Sequence, residues 1–215
     1  MTVARNPAPS VLTAAVITAI SLSSAGCTLP GEAQPQPASR ISSSDVIRQT
    51  DAAGNRLPFT TTFPDRWSAN NAGTDYEPCT AVTRAILQEF NLDPSSVNDA
   101  ADANRQTIRG CDWTFLNDTA NTISQYVGGN GELTLNEYRD KQMGRSDELM
   151  PNMVINKRPV LRIRNIALGQ CTVVIQSGGA RVFTTLFVYH NRPSPDRLCD
   201  VPVRFLRTMI DKIPE

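Results

Sequence analysis

The sequence predicts an α+β domain, a mainly antiparallel sheet packed by helices and held by two disulfides, preceded by a cleaved signal and a disordered tether. Three observations predict it. Short β-suited runs are separated by turn residues, and the clearest pair, 171–176 and 180–190 around Ser177-Gly178-Gly179, reads as an antiparallel hairpin. Helical periodicity occurs in a few separate places, in an order without strict βαβ alternation. Four cysteines follow a secretory-type N-terminus, an even number in a chain that reads as exported.

The elements follow in chain order. Over 77–90 apolar residues fall at Val82, Ile86 and Phe90 behind Pro78, a favoured first helical residue, so this segment predicts one amphipathic helix. Asn91-Leu92-Asp93-Pro94 ends it, because the residue before a proline avoids the helical region. A short helix or loop follows. Ile108, Trp113 and Phe115 mark a strand within 106–116, and 122–127 (TISQYV) predicts a second. Gly128-Gly129-Asn130-Gly131 is a turn, and Thr134-Leu135-Asn136-Glu137 is a capping box opening a helix that runs to about Met143. The segment 145–157 shows no regular pattern. Over 160–166 Leu161 and Ile163 alternate with Arg162 and Arg164, predicting a half-buried strand with an apolar face and a solvated basic face. The hairpin comes next. Phe205, Met209 and Ile213, flanked by Leu206 and Ile210, form the stripe of a closing helix over 201–213, and Pro202 places its start near Asp200.

The first 57 residues contain no aromatic side chain, and the series begins at Phe59, so the folded part is expected to span 58–215. Before it, Arg5 is the only charge ahead of Glu32, and 11–22 is an uncharged apolar run shorter than a membrane span. Small residues follow and end in a cysteine: Ser24-Ala25-Gly26-Cys27 resembles a bacterial lipobox, in which the cysteine sulfur receives a diacylglycerol and becomes the mature N-terminus. Residues 1–26 are then the signal peptide, Cys27 the lipidation site and 27–57 a linker rich in Pro, Gln, Ala and Ser. A flexible linker of that length lifts a domain roughly 30 Å from a membrane.

Setting Cys27 aside leaves Cys79, Cys111, Cys171 and Cys199. Three connectivities are open. The one joining Cys79 to Cys111 and Cys171 to Cys199 is favoured because it pins the start of each helix to a nearby strand, and each loop so closed is worth roughly 3.5 kcal/mol in the chain-entropy model. A zinc site normally needs closely spaced ligand pairs, which these cysteines lack, and the chain has a single histidine.

The contexts of these cysteines carry a resemblance. Tyr76-Glu77-Pro78-Cys79 before a helix, Cys111-Asp112-Trp113, Cys171-Thr172-Val173-Val174, and Leu198-Cys199-Asp200 before a last helix ending Ile213-Pro214 resemble an actinobacterial lipoprotein family known as domain of unknown function 3558. The resemblance spans residues 76–215. It implies an exported, lipid-anchored, two-disulfide domain and transfers no catalytic residue, since the family has no established reaction.

Composition narrows the functions. Lys and Arg number 21, as do Asp and Glu, so no net positive field holds a polyanion and a general nucleic-acid binder is excluded. No G-x-S-x-G elbow, phosphate-binding loop or G-x-G-x-x-G turn occurs. Asp93, Asp99 and Asp102 lack the glycine and terminal glutamate of an EF-hand and read as solvated carboxylates. Any Ser-His-Asp or Cys-His centre would have to use His190, which reads as an exposed strand-end residue. Candidate ligand contacts are Trp113, either a core aromatic on the Cys79–Cys111 bridge or a stacking platform, and Arg162 and Arg164, which with Lys157 and Arg158 form a basic stripe suited to anionic lipid or glycan phosphate. No catalytic residue, cofactor or metal ligand is assigned. The expectation is a non-enzymatic binding or interaction domain, lipid-anchored on the extracytoplasmic face of the cell membrane, with an envelope lipid, glycan or protein as ligand. An envelope enzyme acting on lipid or glycan, or an extracytoplasmic sensor-like module, are the alternatives.

Overall fold

Alternating side chains along eight strands give one sheet two buried faces, and the helices divide between them. A computed structural model describes residues 47–129, 131, 133–143 and 147–215; the signal segment, Cys27, most of the linker, Asn130 and the start of the 145–157 loop lie outside the described residues. The strands are β1 (Asn98–Asp99), β2 (Ile108–Phe115), β3 (Asp118–Gly128), β4 (Glu148–Leu149), β5 (Met153–Ile155), β6 (Arg158–Asn165), β7 (Gln170–Ser177) and β8 (Ala180–Phe187). They run in the order β1-β2-β3-β8-β7-β6-β4, with β5 also on β6, and every pairing is antiparallel. The fold is thus the α+β class that the sequence predicts, with both disulfides in the favoured connectivity, Cys79 to Cys111 and Cys171 to Cys199.

The β7–β8 hairpin turns on Gly178 and Gly179, with Ser177 opposite Ala180. Gly178 takes a φ of +55°, and a Cβ there would lie 2.5 Å from the carbonyl oxygen of Gly73, so both the turn and its contact require glycine.

On the first face, Arg109, Cys111 and Trp113 of β2 lie in register with Val127, Gln125 and Ile123 of β3, followed by Val182, Thr184 and Leu186 of β8 and Ile175, Val173 and Cys171 of β7. Two short helices, α1 (Pro78–Ala81) and α2 (Arg84–Glu89), and the closing helix α4 (Asp200–Met209) contribute to the same core. Phe205 of α4 meets Phe90 edge-on at 4.9 Å between centroids and lies 6.5 Å from Trp113. A polar chain crosses this core: Tyr76 donates to Gln125 Oε1 at 2.6 Å, and Gln125 Nε2 donates to Thr184 Oγ1 at 3.0 Å.

The second face carries a smaller core. Leu161, Ile163, Val174 and Phe183 pack with Tyr126, Leu135, Tyr138 and Leu149, beneath α3 (Leu135–Gln142). The capping box at its start is complete, Thr134 Oγ1 accepting from the Glu137 amide and the Glu137 carboxylate accepting from the Thr134 amide.

Four expectations are corrected. The single helix over 77–90 is two, because Val82 is extended and the Thr83 side chain caps a new start by accepting from the Ile86 amide. The unpatterned 145–157 segment supplies β4 and β5, strands too short to display an alternation. Packing begins before residue 58: Thr50 pairs with Arg56, the buried Asp51 accepts from Thr80 Oγ1 at 2.7 Å, and Leu57 enters the core. The absence of aromatics up to Pro58 therefore misplaced the boundary, since a polar turn anchored by one aspartate needs none. Finally, the arginine face of β6 is not the solvated one. Arg162 and Arg164 register with Val173 and Cys171 and share their face with Val160 of the larger core, whereas Leu161 and Ile163 pack under α3.

Arg158, on that same face, clamps the end of the chain. Its guanidinium donates to the carbonyls of Ile210, Ile213, Pro214 and Gln176, satisfying acceptors that the terminal turn of α4 leaves open and complementing its negative end.

Mass spectrometry of a non-reduced digest is expected to recover peptides linked 79–111 and 171–199. Removing either bridge by paired Cys→Ser substitution is expected to cost about 3.5 kcal/mol of stability in a denaturant titration; crossed linkages would contradict the connectivity.

Candidate functional site

Arg66 is wholly buried, in a stretch (Phe63-Pro64-Asp65-Arg66) with no regular structure. Its guanidinium makes a two-pronged pair with Glu77, Nη1 to Oε2 at 2.8 Å and Nη2 to Oε1 at 3.1 Å, while Nε donates to both oxygens of Asp99 at 2.9 and 3.0 Å. Nη2 also reaches the Gly110 carbonyl at 3.3 Å. Glu77, whose side chain is 1% exposed, accepts besides from Arg109 at 3.2 Å and from the Cys79 amide, which it caps at the start of α1. Burial works against the charge on Arg66, but Glu77 and Asp99 outweigh it and raise its pKa above the ordinary value. For Arg109 burial prevails, aided by the nearby Arg66 charge, and the pKa falls. Burial, with the Glu77 charge, also lifts the Tyr76 hydroxyl well above its usual range, so it stays protonated and donates to Gln125.

Beside this cluster lies an open cleft of about 600 Å³, lined by Arg48, Trp67, Ser68, Thr74, Asp75 and Arg109 among others. Its cations are occupied. Arg48 lies over the Trp67 ring at 4.3 Å, and Arg109 donates to the carbonyls of Thr74 and Tyr76 at 2.7 and 2.6 Å as well as to Glu77.

The residues singled out in the sequence fall as follows. Trp113 is 1% exposed and belongs to the larger core, so it offers no face to a ligand. Arg164 holds Glu148 with two bonds of 2.8 and 2.9 Å and donates to the Pro195 carbonyl, tying β4 and the approach to α4 to β6. Arg162 donates to the Pro151 carbonyl at 2.9 Å. The three arginines of the basic stripe, Arg158, Arg162 and Arg164, thus each tie parts of the fold together, while Lys157 is exposed. His190 is 64% exposed, three residues past the end of β8, with Nδ1 at 3.2 Å from Asp118 Oδ1. Asp99 belongs to Arg66, and Asp93 caps a 3₁₀ turn, accepting from the Ser95 amide and hydroxyl. Among the described residues no three His, Cys, Asp or Glu side chains come together as metal ligands, and no helix is long and apolar enough to cross a membrane. Cys27 lies outside the described residues.

Sequence reading missed a third place, between α3 and the sheet. Here a cavity of about 120 Å³ has Tyr126, Phe183, Ile163 and Thr172 from the strands and Tyr138 and Gln142 from the helix, with Asp147, Asn165 and Gln170 at its side. Tyr126 stacks on Phe183 at 5.0 Å with an interplanar angle of 12°, and Tyr138 meets Phe183 edge-on at 5.7 Å. A line of hydrogen-bonding groups crosses the floor: the hydroxyl of Tyr126 lies 3.4 Å from that of Thr185, Thr185 lies 3.0 Å from Thr172, and Gln170 Nε2 donates to Thr172 at 3.3 Å. Burial raises the Tyr126 pKa and keeps this hydroxyl neutral. Asn165 Nδ2 donates to Asp147 at 2.8 Å. The signal was present as polar residues on strand positions, Thr172, Thr185, Ser124 and Asp112 forming one row across four strands, but the register that aligns them is a tertiary fact.

Geometry and site define a disulfide-clamped α+β domain with a helix-roofed cavity on the face away from its main core. The family model described as Protein of unknown function (DUF3558) matches residues 22–212, and the chain belongs to that family. No curated protein matches it.

Arg66→Met is expected to cost roughly 3–5 kcal/mol by leaving Asp99 without its cation and the buried Glu77 with Arg109 alone, and the double change with Glu77→Gln is expected to cost clearly less than the sum of the single changes. Denaturant titration of the four proteins gives the coupling; simple additivity would contradict the network. Asp112 gives a pH test. Burial disfavours its carboxylate, the charges of Asp102 and Asp99 add to that, and a bond with Ser124 offsets only part, so its pKa lies above the ordinary 3.8. The folded state thus holds this proton more tightly than the unfolded chain. The penalty is absent below about pH 3.8 and complete above the folded pKa. Asp112→Asn, which keeps an acceptor for Ser124, is expected to raise the melting temperature at neutral pH, with the advantage fading as the pH falls through the raised folded pKa and gone below the ordinary 3.8; a gain independent of pH would contradict the raised pKa.

Proposed function

We propose that this chain is an exported, lipid-anchored envelope protein whose folded domain binds a ligand without chemically changing it. One contrast carries this reading. The strongly buried charges, Arg66, Glu77 and Arg109, are spent on one another and on backbone carbonyls, whereas the cavity under α3 is lined by aromatic rings and neutral amide and hydroxyl groups with one carboxylate. Such a lining recognises and orients a small molecule. General acid–base chemistry instead calls for a positioned titratable group with its partner.

Anchoring rests on the run Ser24-Ala25-Gly26-Cys27 and on the two disulfides, which suit an oxidising compartment outside the cytoplasm. Attachment at Cys27 would place the domain on the extracytoplasmic face of the cell membrane. An envelope enzyme remains the second reading, supported by the raised pKa of the Asp112 carboxyl. Hydrolysis of an envelope lipid or glycan by the purified chain, lost in Asp112→Asn with the fold intact, would favour it.

In cells fed a fatty-acid analogue, the chain is expected to take up label and partition with membranes, and Cys27→Ala is expected to abolish both. Labelling that survives the substitution would remove the lipoprotein reading, and native mass spectrometry of the detergent-extracted chain tests ligand retention directly.

A further inference from the structure

Exposed apolar side chains scattered singly over a surface need no explanation, but in this domain they gather at one end of the sheet. Among the described residues six large hydrophobic side chains are exposed, and four of them, Leu116, Ile166, Leu168 and Tyr189, are between 47% and 59% exposed. Phe115 pairs with Asp118, Asn165 with Gln170, and Phe187 with both Thr122 and Gln170, so the 116–117 turn, the 166–169 turn and the segment after β8 project from the same end. Met143, a fifth, follows Gln142, which shares a cavity with Asn165 and Gln170 at the foot of the 166–169 turn. Val154 alone of the six sits elsewhere, on β5.

The three loops hold one another in place. Asn121 Oδ1 accepts from the Tyr189 and His190 amides at 2.7 and 3.2 Å, the Val188 amide donates to the Gly169 carbonyl at 2.8 Å, and Arg192 donates to the Ala167 carbonyl at 3.0 Å. The apolar tips are thus ordered as one set before any partner arrives. Beside them opens a hollow of about 330 Å³ with Phe115, Leu186, Val188, Pro193 and Val201 in its wall. Its polar groups are already engaged, Asn121 with Asp118 and the 189–190 backbone, Arg197 with Asp200. Over 116–118, 166–169 and 188–192 the chain carries one acid, Asp118, one arginine, Arg192, and His190, so neither sign of charge prevails. This end therefore meets a partner through apolar area, with a tyrosine whose apolar body and polar tip suit a boundary between hydrocarbon and water.

What covers this end follows from the far end of the tether, so the inference rests on the reading of Cys27 as lipid-bearing. About 20 residues separate Cys27 from Ile47, where the described chain starts, a flexible reach of roughly 25 Å and an extended one of about 70 Å. That start lies towards the opposite end of the sheet: Arg48 lines the same cleft as Gly73, whose carbonyl accepts from the Gly179 amide in the β7–β8 turn. A strand of eight residues such as β7 spans about 27 Å, so the tether is long enough for the loop end to turn onto the bilayer. Of the apolar partners open to it, the bilayer is the one that the anchor keeps at high effective concentration.

We propose that the loop end bearing Leu116, Ile166, Leu168 and Tyr189 is a membrane-seating surface, whose side chains enter the boundary of the bilayer to which the chain is tethered. The full chain, purified from membranes, is reconstituted into phosphatidylcholine vesicles that include a phosphatidylcholine with a diazirine in its acyl chain, irradiated and digested for mass spectrometry. Adducts are expected to concentrate in the peptides holding 116, 166–168 and 189. Replacing Ile166→Gln and Leu168→Gln together is expected to lower the labelling of all three loops roughly tenfold with the melting temperature unchanged. The pair Leu116→Gln and Tyr189→Gln, on the other two loops, serves where the first disturbs its turn, and is expected to act likewise. Val154→Gln, an equally exposed position away from these loops, is expected to leave the labelling as it is. Adducts spread evenly over the domain, adducts that both loop pairs leave unaltered, or labelling that requires added phosphatidylglycerol would overturn the proposal. So would a dimer in sedimentation that the loop substitutions dissolve, which would assign the surface to a second copy of the chain. Intact mass, taken first, reports the lipid on Cys27 separately. A chain without lipid whose loops still label removes only the anchor, and a lipidated chain whose loops stay unlabelled removes this inference alone.

Discussion

The buried guanidinium of Arg66 organises the N-terminal half of the domain. It joins three segments far apart in sequence: its own irregular stretch, the Glu77 that opens α1, and the β1 residue Asp99, with the β2 carbonyl of Gly110 as a fourth contact. None of these segments is long enough to hold itself in place. The α1 helix has a single turn and β1 only two residues, and a lone turn of helix is not stable by itself in water. The desolvation of so many charges is tolerable only because each finds its partner. The neighbouring Cys79–Cys111 bridge then fixes α1 on β2, so covalent and ionic ties meet at the same helix start.

A similar economy governs the other half. Arg158 and Arg164 sit on the strand face where alternation alone places solvent, yet they reach carbonyls at the end of α4 and before its start. Long cationic side chains can bury their stems against apolar surface while their heads satisfy open backbone acceptors. The second disulfide works beside them, holding β7 to the residue just before α4. Arginine in this domain is chiefly structural.

Much of this was legible from the sequence where the cause is local. The β7–β8 hairpin follows from its glycine turn, the α3 start from Thr134 and Glu137, and the disulfide pairing from cysteines placed next to helix starts. What escaped is set by partners distant along the chain. No residue near Arg66 signals that it will be buried, and Phe63-Pro64-Asp65-Arg66 reads as a surface loop. The β6 alternation gave the right strand and the wrong solvent face, because a sheet covered on both sides makes hydrophobic and long cationic positions hard to rank. The cavity was hidden for a related reason: Thr172, Thr185 and Ser124 look like ordinary strand residues until register sets them in one row.

The central seam of the sheet joins β3 to β8, strands separated by α3, the two short strands β4 and β5 and the two long strands β6 and β7. A chain synthesised from its N-terminus therefore exposes β3 with one edge open until Ala180 and the residues after it have emerged. Cys171 waits longer still for Cys199, and Arg158 for carbonyls at the very end. Closure of the middle of the sheet is thus a late, long-range event, of the kind that slows β-rich domains and leaves them open to off-pathway pairing. The order of the strands makes the last part of the chain to be delivered the part that completes the centre, so a truncation near the C-terminus should act less like trimming an end than like withdrawing a keystone.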